Sequence, residues 1–225
     1  MPEQPDPVPP DDLSRGLTVA RPGEDQGLPH IGLVGDTYTI LVTGQDTAGK
    51  YTLIDMHVPP GGGPPPHRHD FEEMFTVLDG EVRVTFRGQT ITARAGQTIN
   101  VPANAPHSFT NASDTPSRLL CMCAPAGQEE FFTLVGQPVA TRTEAPPPLS
   151  PDAQAAFIAR SRSLAPEFKT ELLPPPSQEA RPTWGWAWGW RAPFGVFKCF
   201  AIQPVERRRH AAPAADAQAA LWPRV

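Results

Sequence analysis

The sequence predicts an all-β domain, an antiparallel sandwich or barrel, followed by one or two short helices and a proline-rich, tryptophan-rich tail. Two observations carry this prediction. Between residues 36 and 123, eight short segments rich in β-branched and aromatic residues follow one another without a helical pattern between them. Glycine-containing turns separate several of these segments, and the connections are too short for the crossovers that parallel strands need.

The eight predicted strands are Thr37–Thr43, Tyr51–Val58, Glu73–Leu78, Glu81–Arg87, Gln89–Arg94, Thr98–Val101, His107–Asn111 and Arg118–Cys123. The clearest alternation lies within 81–86, where apolar and polar side chains change at every residue. Helices are predicted over Gln128–Val135 and from Pro151 to about Arg160, the latter with Ser150 as N-cap. Both helices are expected to pack on the outside of the sheets.

Proline is distributed unevenly, and this sets the domain boundaries. The chain holds 30 prolines in 225 residues, of which nine fall within residues 31–135. A compact domain with proline-rich flanks is therefore expected. The predicted division is a flexible arm over 1–30, a β-barrel domain over 31–135, a linker and helix packing on the barrel over 136–176, and a tail over 177–225.

The tail has an unusual composition. Trp184, Trp186, Trp188 and Trp190 alternate with glycine and alanine, so on a strand all four would share one face and could clamp a flat ligand. A biased, partly ordered tail is the simpler interpretation. Residues 181–225 carry a net charge of +5, which leaves −10 on the rest of a chain whose net charge is −5.

Charge and hydropathy exclude several classes of partner. An acidic body is a poor surface for nucleic acid, because phosphate affinity comes from cations. No apolar run approaches the 18 residues of a membrane span, and the first thirty residues lack the pattern of a secretory signal. Three cysteines are too few for a disulfide scaffold. A cytoplasmic protein is expected, with Cys121 and Cys123 as small core residues.

Four residues stand out as candidate metal ligands. His67 and His69 are two positions apart, so on an extended strand their imidazoles leave the same face. Glu73 can reach that face if the chain turns, and His107 begins another predicted strand. Three imidazoles and one carboxylate suit one divalent transition metal ion, Fe, Mn, Ni, Co, Cu or Zn, and leave coordination positions open. Taken singly, a histidine is more often a surface or hydrogen-bonded core residue than a metal ligand.

The spacing of these residues forms two motifs. The first reads G-x5-H-x-H-x3-E-x6-G from Gly61 to Gly80, and the second reads G-x5-P-x-N-x2-H-x3-N from Gly96 to Asn111. Together they resemble the two motifs of the cupin superfamily. Asn104 stands where that family usually has glycine. Since asparagine tolerates left-handed backbone geometry, the turn is expected to be kept.

The resemblance covers roughly residues 35–135 and implies a small antiparallel jelly-roll barrel with one metal ion inside, held by His67, His69, Glu73 and His107. The short spacer between the motifs favours a single-domain (monocupin) protein. The segments that begin at Gly35 and Ala124 also look like those of quercetin-dioxygenase-like cupins. This likeness is weaker than the likeness to the superfamily.

The function expected from such a site is a metal-dependent dioxygenase that acts on a small oxygenated compound, such as a flavonol, enediol or diketone. Glu73 would both bind the metal and act as catalytic base. Two other functions stay open, a non-catalytic small-molecule-binding or sensing cupin and an O₂-independent isomerase or decarboxylase.

The same strands predict the pocket and the oligomeric state. Phe75 and Val77 share the face of Glu73, while Phe109 and Asn111 share the face of His107. These four residues would either line the substrate pocket or pack in the barrel core. Exposed strand edges make a homodimer the expected assembly.

Overall fold

The computed structural model describes residues 8–24 and 27–174. The predicted tail, with its four alternating tryptophans, lies outside the described residues. The elements are β1 (His30–Leu33), β2 (Asp36–Val42), β3 (Thr52–Val58), β4 (His67–His69), β5 (Glu72–Asp79), β6 (Glu81–Phe86), β7 (Gln89–Arg94), β8 (Thr98–Val101), β9 (His107–Thr110), β10 (Ser117–Ala124), α1 (Gln128–Val135), β11 (Gln137–Pro138), α2 (Pro151–Leu164), a 3₁₀ turn (Ala165–Phe168) and β12 (Thr170–Leu172).

Within the described residues the strands form two antiparallel sheets that face each other across the core. The seven-stranded sheet has the order β11-β1-β2-β3-β10-β5-β8, and the five-stranded sheet has the order β12-β4-β9-β6-β7. Side chains along β10 alternate between buried and half-buried, as expected of a strand with one face on the core. The core combines residues of both sheets, among them Ile54, Leu119, Val84 and Phe109. The fold is a small jelly-roll barrel, which confirms the predicted class.

The predicted elements agree closely with the observed ones. The strands Gln89–Arg94 and Thr98–Val101 and the helix Gln128–Val135 have the predicted bounds, and the other six predicted strands differ by one residue at one or both ends. Four strands were not among the eight predicted, namely β1, β4, β11 and β12. Each has two to four residues, which is too short to show an alternating pattern, so only the pairing with a neighbouring strand defines it.

Residues 136–176, expected to form a linker and a helix, also contribute to both sheets. β11 pairs with β1, and β12 pairs with β4. The helix α2 begins at the predicted Pro151, and the Ser150 hydroxyl accepts a hydrogen bond of 3.3 Å from the Ala153 N–H. It continues to Leu164, four residues beyond the predicted end. All described residues belong to one compact unit.

Among the described residues, no helix combines the length and the hydropathy that are necessary to cross a membrane.

Candidate metal centre

The strand β4 presents two histidines to the interior of the barrel. His67 and His69 are buried, with 7% and 2% of their surface exposed, while Arg68 between them faces solvent. The alternation follows from the two-residue period of a strand. The sequence therefore predicted correctly that the two imidazoles share one face.

His107 and Glu73 complete the group from other strands. His107 begins β9 and is the direct cross-strand partner of His67. Glu73 lies on β5, which belongs to the opposite sheet, and its Oε2 atom lies 3.0 Å from the Nε2 atoms of His69 and His107. One nitrogen or oxygen atom from each of the four residues lies within 4.8 Å of the others. The structure thus brings all four predicted ligands together.

Backbone carbonyls determine which nitrogen of each ring faces the centre. The Nδ1 atom of each histidine lies 2.9 Å from a carbonyl oxygen, that of Pro65 for His67, of Phe71 for His69 and of Ala105 for His107. Since a carbonyl only accepts hydrogen bonds, Nδ1 carries the proton in each ring, and a neutral ring then directs the Nε2 lone pair inward. Metal-binding histidines are commonly oriented in this way.

These lone pairs show why a cation fits the site. Three Nε2 lone pairs and a carboxylate oxygen that all converge would repel one another unless a proton or a metal ion lay among them. Three imidazole nitrogens and one carboxylate oxygen are suitable donors for a divalent transition metal ion. The residues present therefore fit such an ion, and its identity does not follow from the donor set.

Burial and neighbouring groups act in opposite directions on the pKa values of Glu73 and His107. Burial alone would raise the pKa of Glu73, but the contacts with His107 and His69, whose rings donate from Nε2 when they are protonated, outweigh it and hold this pKa well below its usual range. Burial, aided by repulsion from His107, lowers the pKa of His67 to about 4. Burial also opposes protonation of His107, yet its hydrogen bond to Glu73 raises its pKa. At neutral pH Glu73 is charged and His67 is neutral, as ligands must be.

The neighbours that orient Glu73 are not apparent from the sequence. Cys121 and Cys123, expected to be core residues only, are fully buried, and their Sγ atoms lie 3.5 and 3.8 Å from Glu73 Oε1. The hydrogen bond to Cys123 and burial raise the pKa of Cys121, so its thiol stays protonated and can donate to the carboxylate. This contact follows from the pairing of β10 with β5, which places Cys123 opposite Glu73. The pairing is a feature of the tertiary structure, so the sequence does not show it.

Two further features hold the first and second motifs in place. The Phe71 ring stacks on the His69 imidazole, with 3.9 Å between ring centroids and 5° between the planes. Asn104 has a φ of 66°, so it adopts the left-handed conformation expected where the family usually has glycine. Its N–H donates a hydrogen bond of 2.6 Å to the carbonyl of His69, which ties the second motif to the first.

A cavity of about 410 Å³ opens beside the four residues, and its wall includes His67 and Glu73. The predicted pocket residues Phe75 and Phe109 also line it. Val77 and Asn111 are fully buried and are not part of the wall. The Asn111 side chain instead donates hydrogen bonds of 2.9 and 2.8 Å to the carbonyls of Val58 and Thr115, an arrangement that holds two loop connections together.

The helices contribute to this cavity more than the sequence suggested. The wall includes Phe131 and Phe132 of α1 and Phe157 and Ile158 of α2. The helices thus pack over the mouth of the barrel and enclose a largely apolar space of the size that small organic ligands occupy.

The geometry agrees with the comparisons to known proteins. The cupin domain family matches residues 54–123. The polyketide synthase CurC of Streptomyces cyaneus is 31% identical over 136 residues, which cover 59% of this chain and 82% of that protein. A quercetin 2,3-dioxygenase of Bacillus subtilis is 26% identical over 128 residues, 56% of this chain. The matched segment is 37% of that dioxygenase, so this chain spans little more than a third of it.

A solved structure, that of a predicted oxalate decarboxylase from Thermotoga maritima, is 22% identical, with a TM-score of 0.43, and the alignment covers 48% of this chain and 98% of that one.

A two-sheet barrel with three inward histidines and one inward glutamate defines a class of metal-binding β-barrel proteins. The chain belongs to the cupin superfamily.

Proposed function

We propose that this cupin is a metal-dependent dioxygenase that acts on a small, largely planar compound with an acidic hydroxyl next to a second oxygen, such as a flavonol, an enediol or a diketone in its enol form. The observation that carries the proposal is the position of Glu73. The same carboxylate belongs to the candidate metal ligands and to the wall of an apolar cavity.

The chemistry divides between the metal and the chain. A divalent metal ion, when bound, supplies Lewis acidity that lowers the pKa of a substrate hydroxyl. Glu73 accepts the hydroxyl proton at a carboxylate oxygen, while the thiols of Cys121 and Cys123 hold its other oxygen. Because a carboxylate is a weak base, it removes protons efficiently only from acidic hydroxyls. This favours enols and phenols over simple alcohols.

The cavity supports a flat substrate. Phe75 and Phe109 meet edge to face, with 5.2 Å between ring centroids, and both lie on the cavity wall. Such aromatic walls bind flat rings well and exclude water from the reacting atoms. The similarity to a quercetin 2,3-dioxygenase supports a flavonol as the first substrate to test.

The decisive experiment compares turnover with and without oxygen. Protein loaded separately with Fe, Mn, Ni or Co is given a panel of flavonols and β-diketones under air and under nitrogen. The proposal expects product only under air and only with a metal. Equal turnover under nitrogen would point to an isomerase or decarboxylase. No turnover by any metal form would contradict catalysis and favour a binding or sensing role.

We further propose a homodimer and a cytoplasmic location. β7 forms an edge of the five-stranded sheet, and its Ile91 side chain is 56% exposed, which leaves an edge suited to pairing. A monomer by light scattering would contradict the dimer. Three cysteines in 225 residues are too few for a disulfide scaffold, which supports a reducing compartment.

A further inference from the structure

The side chain of Gln128 lies on the cavity wall with part of its hydrogen-bonding capacity unused. Gln128 begins α1, is 4% exposed and contributes to the wall. Its Oε1 atom lies 3.4 Å from the hydroxyl of Thr170, a buried residue of the same wall. That hydroxyl has one proton and also lies 3.1 Å from the carbonyl oxygen of Phe168, so the amide is held by one long hydrogen bond at most.

The amide nitrogen of Gln128 is unpartnered but not enclosed. Within the part of the chain that the structure describes, Nε2 makes no hydrogen bond to another residue. Among the described buried and half-buried residues, the Ser161 hydroxyl is the one side-chain polar group that lacks both a partner and accessible surface, so the Gln128 Nε2 atom keeps accessible surface. Because the neighbouring Thr170 also lines the wall, this surface opens into the cavity. Two N–H donors are therefore available to a molecule bound there.

The fold positions this amide close to the candidate metal centre. Thr170 is the direct cross-strand partner of His69, one of the four candidate ligands. The side chains of such a pair leave the same face of a sheet, with their Cβ atoms about 5 Å apart. The Gln128 amide lies next to Thr170, so a small molecule that binds at the metal centre can also reach this amide.

The polarity of the cavity indicates which group would bind to the amide. Most of the wall is apolar, so water competes little with a hydrogen bond made inside the cavity. An N–H donor needs an acceptor, and the strong acceptors of small oxygenated compounds are carbonyl and carboxylate oxygens. A carboxylate enclosed in an apolar space also needs a counter-charge, which a neutral amide does not supply. A carbonyl oxygen is therefore the better partner for Gln128.

We infer that the Gln128 amide donates a hydrogen bond to a carbonyl oxygen of the substrate, next to the hydroxyl that binds at the metal centre. The ligand class is then a flat hydroxy-enone, such as a flavonol or the enol form of a β-diketone, rather than a simple enediol, which has no carbonyl. This inference rests on the proposed function, since it takes the metal-binding hydroxyl from there. Gln128 acts as a specificity determinant and neither gives nor takes a proton in the reaction.

Substitutions of two glutamines on the same wall test the inference. Gln128→Met removes the amide at nearly constant size, and Gln154→Met makes the same change at an exposed position of the wall. The probes are flavone and the corresponding 4H-chromene, in which a CH₂ group replaces the carbonyl; both lack the metal-binding hydroxyl. Affinity is measured by calorimetry on the metal-loaded full chain, and circular dichroism checks that each variant is folded.

Gln128→Met is expected to weaken binding of flavone by about two- to tenfold, the range of one net hydrogen bond, and to leave binding of the chromene unchanged. Gln154→Met should leave both affinities unchanged. The infrared carbonyl stretch of bound, isotope-labelled flavone should shift to higher frequency in the Gln128 variant, because a hydrogen bond weakens the C=O bond. A residue with a structural role only would change neither this stretch nor the preference between the two probes.

Other outcomes separate this inference from the proposed function. Equal effects on both probes, no effect on flavone, or no binding of flavone by the parent protein would overturn the role of Gln128. Selective loss of flavone binding in a protein that never turns over a flavonol would leave that role intact and overturn the dioxygenase. Flavonol turnover with an unchanged KM in the Gln128→Met variant would support the dioxygenase and overturn the role of Gln128.

Discussion

Glu73 and His107 meet across the barrel although 34 residues separate them, with Glu73 Oε2 3.0 Å from His107 Nε2. Glu73 belongs to the seven-stranded sheet and His107 to the five-stranded sheet. The candidate metal centre therefore lies between the two sheets, where both groups are buried. A cation held there would contact both sheets. Because the hydrophobic core also joins the sheets, loss of one ligand is expected to affect binding of the ion more than the fold.

Replacing His107 with alanine is expected to lower metal affinity at least tenfold, since even substitutions of residues that only orient ligands cost about 10–100-fold. The barrel should stay folded, because the hydrophobic core that joins the two sheets does not include this side chain. Metal content by elemental analysis and circular dichroism check the two parts. His57→Ala, on β3 and away from the four residues, is the control and should keep its metal. Near-normal metal content in the His107 variant would contradict the assignment.

Replacing Glu73 with glutamine is expected to keep part of the metal but to reduce turnover by about 10²–10⁴-fold, because an amide does not accept the substrate proton. Steady-state rates on the best substrate measure this effect. Glu72→Gln is a matched control, since Glu72 is the exposed neighbour and bonds to Asn100 and to the Ala103 N–H. A Glu73 variant with full activity would exclude this residue as the base.

Removing the thiol of Cys121 is expected to release one oxygen of Glu73. Cys121→Ala should therefore lower metal affinity several-fold, up to about tenfold, whereas Cys121→Ser keeps a donor and should lie closer to the parent protein. Competition with a chelator measures both affinities. If the alanine and serine variants bound metal equally well, the thiol would have no role in orienting Glu73.

The buried Asp36 carboxyl is expected to make the free energy of unfolding depend on pH. Burial raises the pKa of this carboxyl from 3.8 to about 7, although hydrogen bonds from the Tyr38 hydroxyl and the Gly63 N–H oppose the rise. Between these two pKa values the folded state keeps a proton that the unfolded state loses. The contribution of Asp36 to the free energy of unfolding is therefore complete below about pH 4 and disappears as the pH rises to about 7. The shift corresponds to roughly 4 kcal/mol at most.

Asp36→Asn should remove that part of the pH dependence, because asparagine does not titrate. Urea unfolding at several pH values between 4 and 8 measures the free energy of unfolding for the parent and the variant. Asp114→Asn changes an exposed carboxylate and should leave the profile unchanged. Identical profiles for the Asp36 variant and the parent protein would contradict the raised pKa.

Much of this site could be predicted from the sequence, because the relevant signals are local. The two-residue period of a strand puts His67 and His69 on one face, and the motif spacing selects Glu73 and His107 from the other acidic residues and histidines. Turn residues and alternation locate strands such as Gln89–Arg94. These preferences act over a few residues, so they can be recognised from the sequence.

What the tertiary structure alone decided is which distant residues become neighbours. The pairing of β10 with β5 brings two cysteines to Glu73, and the path of residues 136–174 puts Thr170 on the cavity wall. Val77 and Asn111 face the interior as the alternation predicts, yet the packing around them leaves no cavity there. Strand period determines the face of a side chain, whereas the closure of two sheets and the packing of a helix determine what that face meets.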